Sequence, residues 1–159
     1  MHEGPNASIR AQRLFVWMAI IGALLFAVAW VGLMGFFPPP PADLTADQVA
    51  LLYSTNNVRF KVGVILALIA GGFLVPLSIV ISVQMARLEK GIPIWAILQG
   101  LTGTIGSAFI WLPTVAWAVA AFTPERAPEL TAIFHEFGWL MFITPLSLFP
   151  MQLLGIIYL

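Results

Sequence analysis

Four long apolar segments without a charged residue are the feature that most constrains the fold of this chain. They cover about residues 14–37, 62–85, 92–122 and 137–159, and none contains Asp, Glu, Lys or Arg. A helix rises about 1.5 Å per residue, so about 20 apolar residues cross a hydrocarbon core about 30 Å thick. The sequence therefore predicts an all-α integral membrane protein with four transmembrane helices in a single membrane domain.

Composition supports this fold class and excludes several functions. The chain has 159 residues, of which 60% are hydrophobic and only 9% are charged, whereas a soluble domain carries about 25% charged residues. The first apolar segment is longer than the 7 to 15 apolar residues typical of a signal peptide, so we expect an uncleaved span. Zero net charge and the absence of a Lys/Arg cluster argue against a nucleic-acid partner. The absence of cysteine excludes thiolate metal sites and iron–sulfur clusters.

The connection after the first span predicts a short amphipathic surface helix over about residues 45–56. Pro38–Pro41 cannot continue a helix. Thr45 and Gln48 then fit a capping box, in which each side chain bonds a main-chain amide of the other residue. An apolar stripe at helical spacing follows, formed by Val49, Leu52 and Tyr53.

A second surface helix is predicted over about residues 124–136. Thr123, Pro124 and Glu125 supply a cap, a first-turn proline and a first-turn acid. The apolar stripe of this helix consists of Leu130, Ile133, Phe134 and Phe137. Both surface helices are expected on the same, outer side of the membrane.

The distribution of basic residues predicts the orientation. Four of them lie on the side of the termini, at Arg10, Arg13, Arg87 and Lys90, and three lie on the other side, at Arg59, Lys61 and Arg126. By the positive-inside rule we expect a multi-pass protein of the bacterial inner membrane with both termini cytoplasmic. An aromatic belt would place Trp17 and Trp95 at the inner boundary, and Trp30, Trp117 and Trp139 at the outer one.

His135 and Glu136 form a candidate polar site with two interpretations. They could bind a ligand or handle protons, or they could be the solvated polar face of a surface helix, because His135 lies opposite the apolar stripe. We adopt the second interpretation, on which His135→Ala has little effect. The other histidine, His2, is predicted on the opposite side, so one chain cannot supply bis-histidine haem ligation, and one histidine with carboxylates is a poor zinc site. No catalytic residue, metal site or cofactor is predicted.

Small residues predict where helices pack closely. Gly100, Gly103 and Ser107 lie on the third span, and Ala19, Ala23 and Ala27 form a similar ladder on the first. The polar residues from Gln99 to Ser107 allow an alternative, a polar cavity beside the third span. Points of helix weakness are expected at Gly71-Gly72, Pro113 and Pro145.

The segment ISVQMARLE (Ile81–Glu89) and the segment from Ala118 to Pro145 resemble an uncharacterised family of bacterial polytopic membrane proteins of actinobacteria and proteobacteria. The shared patterns are those of loops and spans, not catalytic signatures. The resemblance therefore implies a membrane bundle and carries no activity.

Three functions remain open at this point. The first expectation is a non-catalytic accessory or structural subunit that packs against other integral membrane subunits in the lipid bilayer. The alternative is a binding or transfer protein for an apolar small molecule or lipid. The third is a redox or metal-associated subunit that uses His135 and Glu136. The apolar spans contain no ionisable group, which argues against a pump or an ion-coupled transporter.

Overall fold

Seven α-helices form the fold in a computed structural model that describes residues 5–123 and 125–158. No β-strand occurs in this part of the chain, so the all-α prediction is confirmed. The helices are α1 (Pro5–Ala27), α2 (Ala46–Thr55), α3 (Asn57–Gly71), α4 (Leu74–Ala86), α5 (Ile94–Phe122), α6 (Pro128–Ile143) and α7 (Phe149–Ile157). A π-helix at Val28–Leu33 extends α1, and a 3₁₀ turn at Thr144–Ser147 separates α6 from α7.

Four helical stretches are long and apolar enough to cross a membrane, which confirms the predicted number of spans. They are Ser8–Leu33, Asn57–Ala86, Ile94–Phe122 and Pro128–Ile157. The first, second and fourth spans begin earlier than predicted, because their helices include flanking polar residues that the apolar segments leave out. The protein is thus a multi-pass membrane protein.

The spans run alternately up and down, so the ends of the bundle can be told apart. At one end, which we call the loop end, the Asn57 side chain donates to the carbonyl of Ala121 over 2.8 Å. At the other, the terminal end, the Gln84 side chain donates to that of Gln12. The ring of Trp95 stacks there on Tyr158, with 5.3 Å between centroids.

The predicted capping box at the start of α2 is confirmed. The main-chain amide of Gln48 donates to Thr45 Oγ1 over 3.4 Å, and the amide of Thr45 donates to Gln48 Oε1 over 2.8 Å. Val49 and Tyr53 of the predicted stripe are buried. The stripe packs α2 against α6 and against α3.

The fourth span differs from its prediction. α6 begins at Pro128, after Ala127 as its N-cap, and runs unbroken to Ile143. The expected boundary between a surface helix and a span at residue 136 is therefore not seen, because nothing between residues 128 and 143 interrupts the helical hydrogen bonds. Pro124, part of the predicted cap, lies outside the described residues.

The predicted weak points have three different outcomes. The second span breaks where expected, since α3 ends at Gly71 and α4 begins at Leu74. Pro145 lies in the 3₁₀ turn of the fourth span. Pro113, in contrast, sits inside an uninterrupted α5.

The predicted alanine ladder on the first span packs inside the chain at one of its three residues. Ala19 is buried, but Ala23 and Ala27 are exposed, and Gly22 instead meets the second span. A Cβ atom on Gly22 would lie 3.2 Å from the carbonyl oxygen of Ala70. With 3.6 residues per turn, each step of four residues rotates a ladder by about 40°, so its later members turn away from the contact.

Of the three tryptophans expected in an outer aromatic belt, Trp117 is a core residue, and Trp30 and Trp139 are partly buried and pack against the core. Trp117 is fully buried, and its ring centroid lies 5.2 Å from that of Trp30 and 5.5 Å from that of Trp139. Phe142 stacks on Trp30 at 4.6 Å. The rings lie toward the loop end, which the sequence predicts to be the outer one. They join the first, third and fourth spans to each other.

Candidate functional site

A cavity of about 450 Å³ lies within the bundle, between α4, α5 and the segment from α6 to α7. Its volume falls in the range of about 300 to 1,000 Å³ that is usual for small-molecule sites. Most of the lining is apolar, and the lining includes Phe26, Leu74, Leu77, Ile81, Phe109, Ile110, Phe142 and Leu148.

Two glycines on α5 shape the wall of this cavity in opposite ways. At Gly103 the helices α4 and α5 touch, because a Cβ atom there would lie 2.8 Å from the Cβ atom of Ser78. At Gly106 the nearest atom to such a Cβ is Nε2 of Gln152, 4.0 Å away. The glycine at 103 thus closes the contact between two spans, and the glycine at 106 leaves open space.

Four polar side chains line the cavity, and two of them are already engaged. Ser78 Oγ donates to the main-chain carbonyl of Gln99 over 3.4 Å, and Ser107 Oγ donates to that of Gly103 over 2.8 Å. Gln99 is only 3% exposed, and its Oε1 has no hydrogen-bond partner among the described residues. The amides of Gln99 and Gln152 are therefore the polar groups that a ligand would meet.

The cavity reaches the outside of the bundle on the fourth span. Its lining residues Ile143, Leu146 and Phe149 are 53%, 58% and 53% exposed. All three are apolar and belong to a stretch long enough to span the bilayer. An apolar molecule could therefore enter sideways from the hydrocarbon region without crossing a polar surface.

His135, the main candidate of the sequence, lies elsewhere and is not solvated. It is 6% exposed, and its Nδ1 is joined to the Tyr53 hydroxyl by a hydrogen bond of 2.8 Å. The expectation of a solvated polar face is wrong at this residue, because the apolar stripe of α6 faces outward: Leu130, Ile133 and Phe137 are exposed. The inward face of α6 carries the polar residues Thr131 and His135, which are buried.

The structure does not bring His135 and Glu136 together as a site. Glu136, the next residue of α6, is exposed. Within residues 5–123 and 125–158 no group of three or more His, Cys, Asp or Glu side chains could hold a metal ion. His2 lies outside the described residues.

Tyr53 is the partner that sequence reasoning missed at this position. The sequence places Tyr53 in an apolar stripe, and it is buried as expected, but its hydroxyl needs an acceptor or donor inside the fold. Burial raises the pKa of the Tyr53 hydroxyl well above its ordinary value of 10.0. Tyr53 is thus a neutral hydrogen-bonding group that ties α2 to α6.

Gln99 was also missed as an individual residue, although the sequence held a signal for it. Gln99, Gly103 and Ser107 repeat every four residues on α5, which places a long amide on the same face as two small residues. A long polar side chain beside a gap left by small ones indicates a polar group at the edge of a cavity.

Comparison with protein-family models, with curated proteins and with solved structures finds no match to this chain. The geometry of the cavity therefore carries the functional argument.

Proposed function

We propose that this protein binds an apolar small molecule or lipid in the cavity beside α5. The observation that carries the proposal is an apolar cavity of about 450 Å³ whose opening lies among exposed apolar residues of the fourth span. Sites for small molecules combine an apolar lining with a few polar groups that fix orientation, and the two glutamine amides fit that pattern.

The packing face that suggested an accessory subunit is used within the chain. A Cβ atom on Gly100 would lie 2.8 Å from Ser82 Oγ, and Gly103 contacts Ser78, so both glycines face α4. Ser107 is buried beside them. These residues therefore give no support for a partner subunit.

An accessory or structural role among other integral membrane subunits is a second candidate, supported by a different face. Ala23 and Ala27 are small, exposed and four residues apart on the first span, which is the spacing that lets another helix approach closely. The redox or metal role has no support in the geometry, because Glu136 is exposed whereas His135 is buried and bonded to Tyr53.

We propose further that the protein lies in a bacterial inner membrane with both termini cytoplasmic. The supporting observation is that Arg10, Arg13, Arg87 and Lys90 all belong to the terminal end. In this orientation α2 and the first turns of α6 form the outer surface at the loop end. The capping box of α2 and its single buried stripe suit a helix that lies at that surface.

Filling the cavity tests the binding proposal. Gly106→Leu adds a side chain where the nearest atom lies 4.0 Å from the Cβ position, so it occupies the cavity with little initial overlap. We expect the variant purified in mild detergent to lose the apolar molecules that co-purify with the wild type, as measured by native mass spectrometry and lipid extraction.

Gly32→Leu is the matched control for this experiment. Gly32 is exposed, lies away from the cavity, and has its nearest atom, Val28 Cγ1, also at 4.0 Å. Equal loss of bound molecules in both variants, or none bound to the wild type, would contradict the proposal. A larger stable assembly that dissociates on Ala23→Leu would instead support the subunit role.

A further inference from the structure

We infer that the ligand of the cavity is a lipophilic alcohol, an apolar molecule whose single hydroxyl binds the side-chain amide of Gln99. This inference rests on the proposed binding function and names its ligand class. It begins from an unpaired polar atom, Oε1 of Gln99, a buried residue that lines the apolar cavity.

A buried amide oxygen without a partner is unusual, since about 90% or more of buried polar groups in folded proteins are paired. Two neighbouring hydroxyl groups, those of Thr102 and Ser78, are engaged elsewhere. Thr102 Oγ1 donates to the carbonyl of Leu98 over 2.7 Å and lies 3.3 Å from that of Gln99. Ser78 Oγ also donates to the Gln99 carbonyl. Both hydroxyls are engaged with main-chain oxygens, so neither pairs with the side-chain amide of Gln99, a residue that lines the cavity.

The chemistry of the lining limits the head group of that molecule. No Asp, Glu, Lys, Arg or His is among the lining residues, so an ionised head would lack a counter-charge at membrane depth. A ketone, quinone or ester can only accept hydrogen bonds and would leave Oε1 unpaired.

A hydroxyl satisfies the amide in either of its two orientations. The oxygen and nitrogen of a glutamine amide exchange places by a flip, and a hydroxyl both donates and accepts. The side-chain amide of Gln152 lies near Gly103, on the face of α5 that also carries Gln99. Its Nε2 atom is 3.2 Å from the position that a Cβ atom on Gly103 would take. One hydroxyl could therefore be held between two amides while the chain of the alcohol fills the apolar part.

Matched photoreactive probes test this inference. A diazirine-bearing fatty alcohol, its methyl ether and the alkane of the same chain length would be added, at equal mole fraction, to the full chain in phosphatidylcholine nanodiscs. Labelled peptides would be located and quantified by mass spectrometry. We expect all three probes to label α5 or α7, and the alcohol to do so about tenfold more strongly than the ether, equivalent to about 1.4 kcal/mol.

The variant Gln99→Met removes the amide and keeps an unbranched side chain of similar size. It should still be labelled by the alkane, which reports an intact cavity, and it should lose the preference for the alcohol. Absence of labelling by every probe in the wild type would reject the binding function itself. Equal labelling of the wild type by alcohol and ether, or a preference that survives in Gln99→Met, would reject the alcohol while leaving the binding function standing. If Gln99→Met does not fold, the alcohol-to-ether ratio of the wild type decides alone.

Discussion

Tyr53 and His135 are 82 positions apart in the sequence and meet through one buried hydrogen bond. Aromatic rings surround the pair: the ring centroid of Phe60 lies 4.6 Å from that of Tyr53, and that of Phe36 lies 6.2 Å from that of His135. In such surroundings an unpaired hydroxyl or ring nitrogen has no water to replace its partner. Removing a single polar atom from this pair should therefore destabilise the whole loop end.

Tyr53→Phe should lower the free energy of unfolding by about 1 to 3 kcal/mol, because it leaves the Nδ1 atom of His135 buried and unpaired. Denaturant unfolding in detergent micelles measures this. His135→Ala should also destabilise the protein, in contrast to the small effect expected for a solvated side chain. Ser54→Ala is the control, since the exposed Ser54 hydroxyl bonds only the carbonyl of Leu51 in its own turn. An effect of Tyr53→Phe no larger than that of the control would contradict the role of the pair.

The raised pKa of Tyr53 predicts how the protein responds to alkali. Only the folded state opposes ionisation of this hydroxyl, so the folded state keeps its proton at pH values where the unfolded chain loses it. The associated stability is complete below pH 10 and falls as the pH rises further. The chain has two tyrosines, so Tyr158→Phe leaves Tyr53 as the single source of tyrosinate absorbance. That absorbance should appear well above pH 10 or together with unfolding; a normal titration in the folded variant would refute the burial of the hydroxyl.

At the scale of helices, the cavity depends on the close contact between α4 and α5 at Ser78 and Gly103. Gly103→Ala should destabilise the bundle by about 1 to 3 kcal/mol, because the new methyl group overlaps Ser78 and overpacking has costs of this size. Gly103→Leu should disturb the bundle more, and Ile105→Leu should not, because Ile105 is exposed. Thermal unfolding in detergent compares the variants.

Two further variants separate overlap from a general effect of losing glycine. Gly106→Ala lies one turn along the same helix with no atom closer than 4.0 Å to its Cβ position, and it should be neutral or stabilising. Ser78→Gly should restore much of the stability of Gly103→Ala by removing the side chain that overlaps. Failure of this rescue would show that the two helices do not meet at these residues.

The sequence predicted where helices occur better than it predicted which face of each helix is buried. Four uncharged segments predicted four spans because length and hydropathy are local properties, and the capping box at Thr45 and Gln48 is local too. The alanine ladder and the orientation of His135 depend on which side of a helix meets its neighbours. That choice is made by packing, which no local pattern encodes, and a lipid exterior also places apolar stripes outside. The cavity at Gln99 arises from five helices and a 3₁₀ turn together, so the sequence could offer it only as an alternative.

The whole molecule presents an apolar surface over the length of its spans. Large hydrophobic side chains are exposed on every span, among them Leu24, Ile69, Leu101 and Leu140. For a protein in water this surface would drive aggregation, and in a bilayer it matches the hydrocarbon. The polar loops gather at two opposite ends, which makes the orientation of the molecule testable.

A tag inserted between Asp43 and Asp47 should be accessible from outside the cell, and a reporter fused after Leu159 should be cytoplasmic. The physical reason is that the basic residues near the span ends on the terminal side resist translocation. Labelling of intact cells with a membrane-impermeant reagent measures the first, and the activity of a compartment-specific reporter measures the second. The opposite pattern would reverse the proposed orientation. Leu159 itself lies outside the described residues.

The separation of Tyr53 and His135 along the chain also sets a delay between their synthesis. Synthesis at about 5 to 20 residues per second separates the appearance of two residues 82 positions apart by about 4 to 16 s. The second and third spans are synthesised within that interval, and until it ends the Tyr53 hydroxyl has no His135 to bond and must bond water or lipid head groups. The loop end therefore becomes dry only when α6 arrives, which makes insertion of the fourth span the event that closes this end of the bundle during biogenesis.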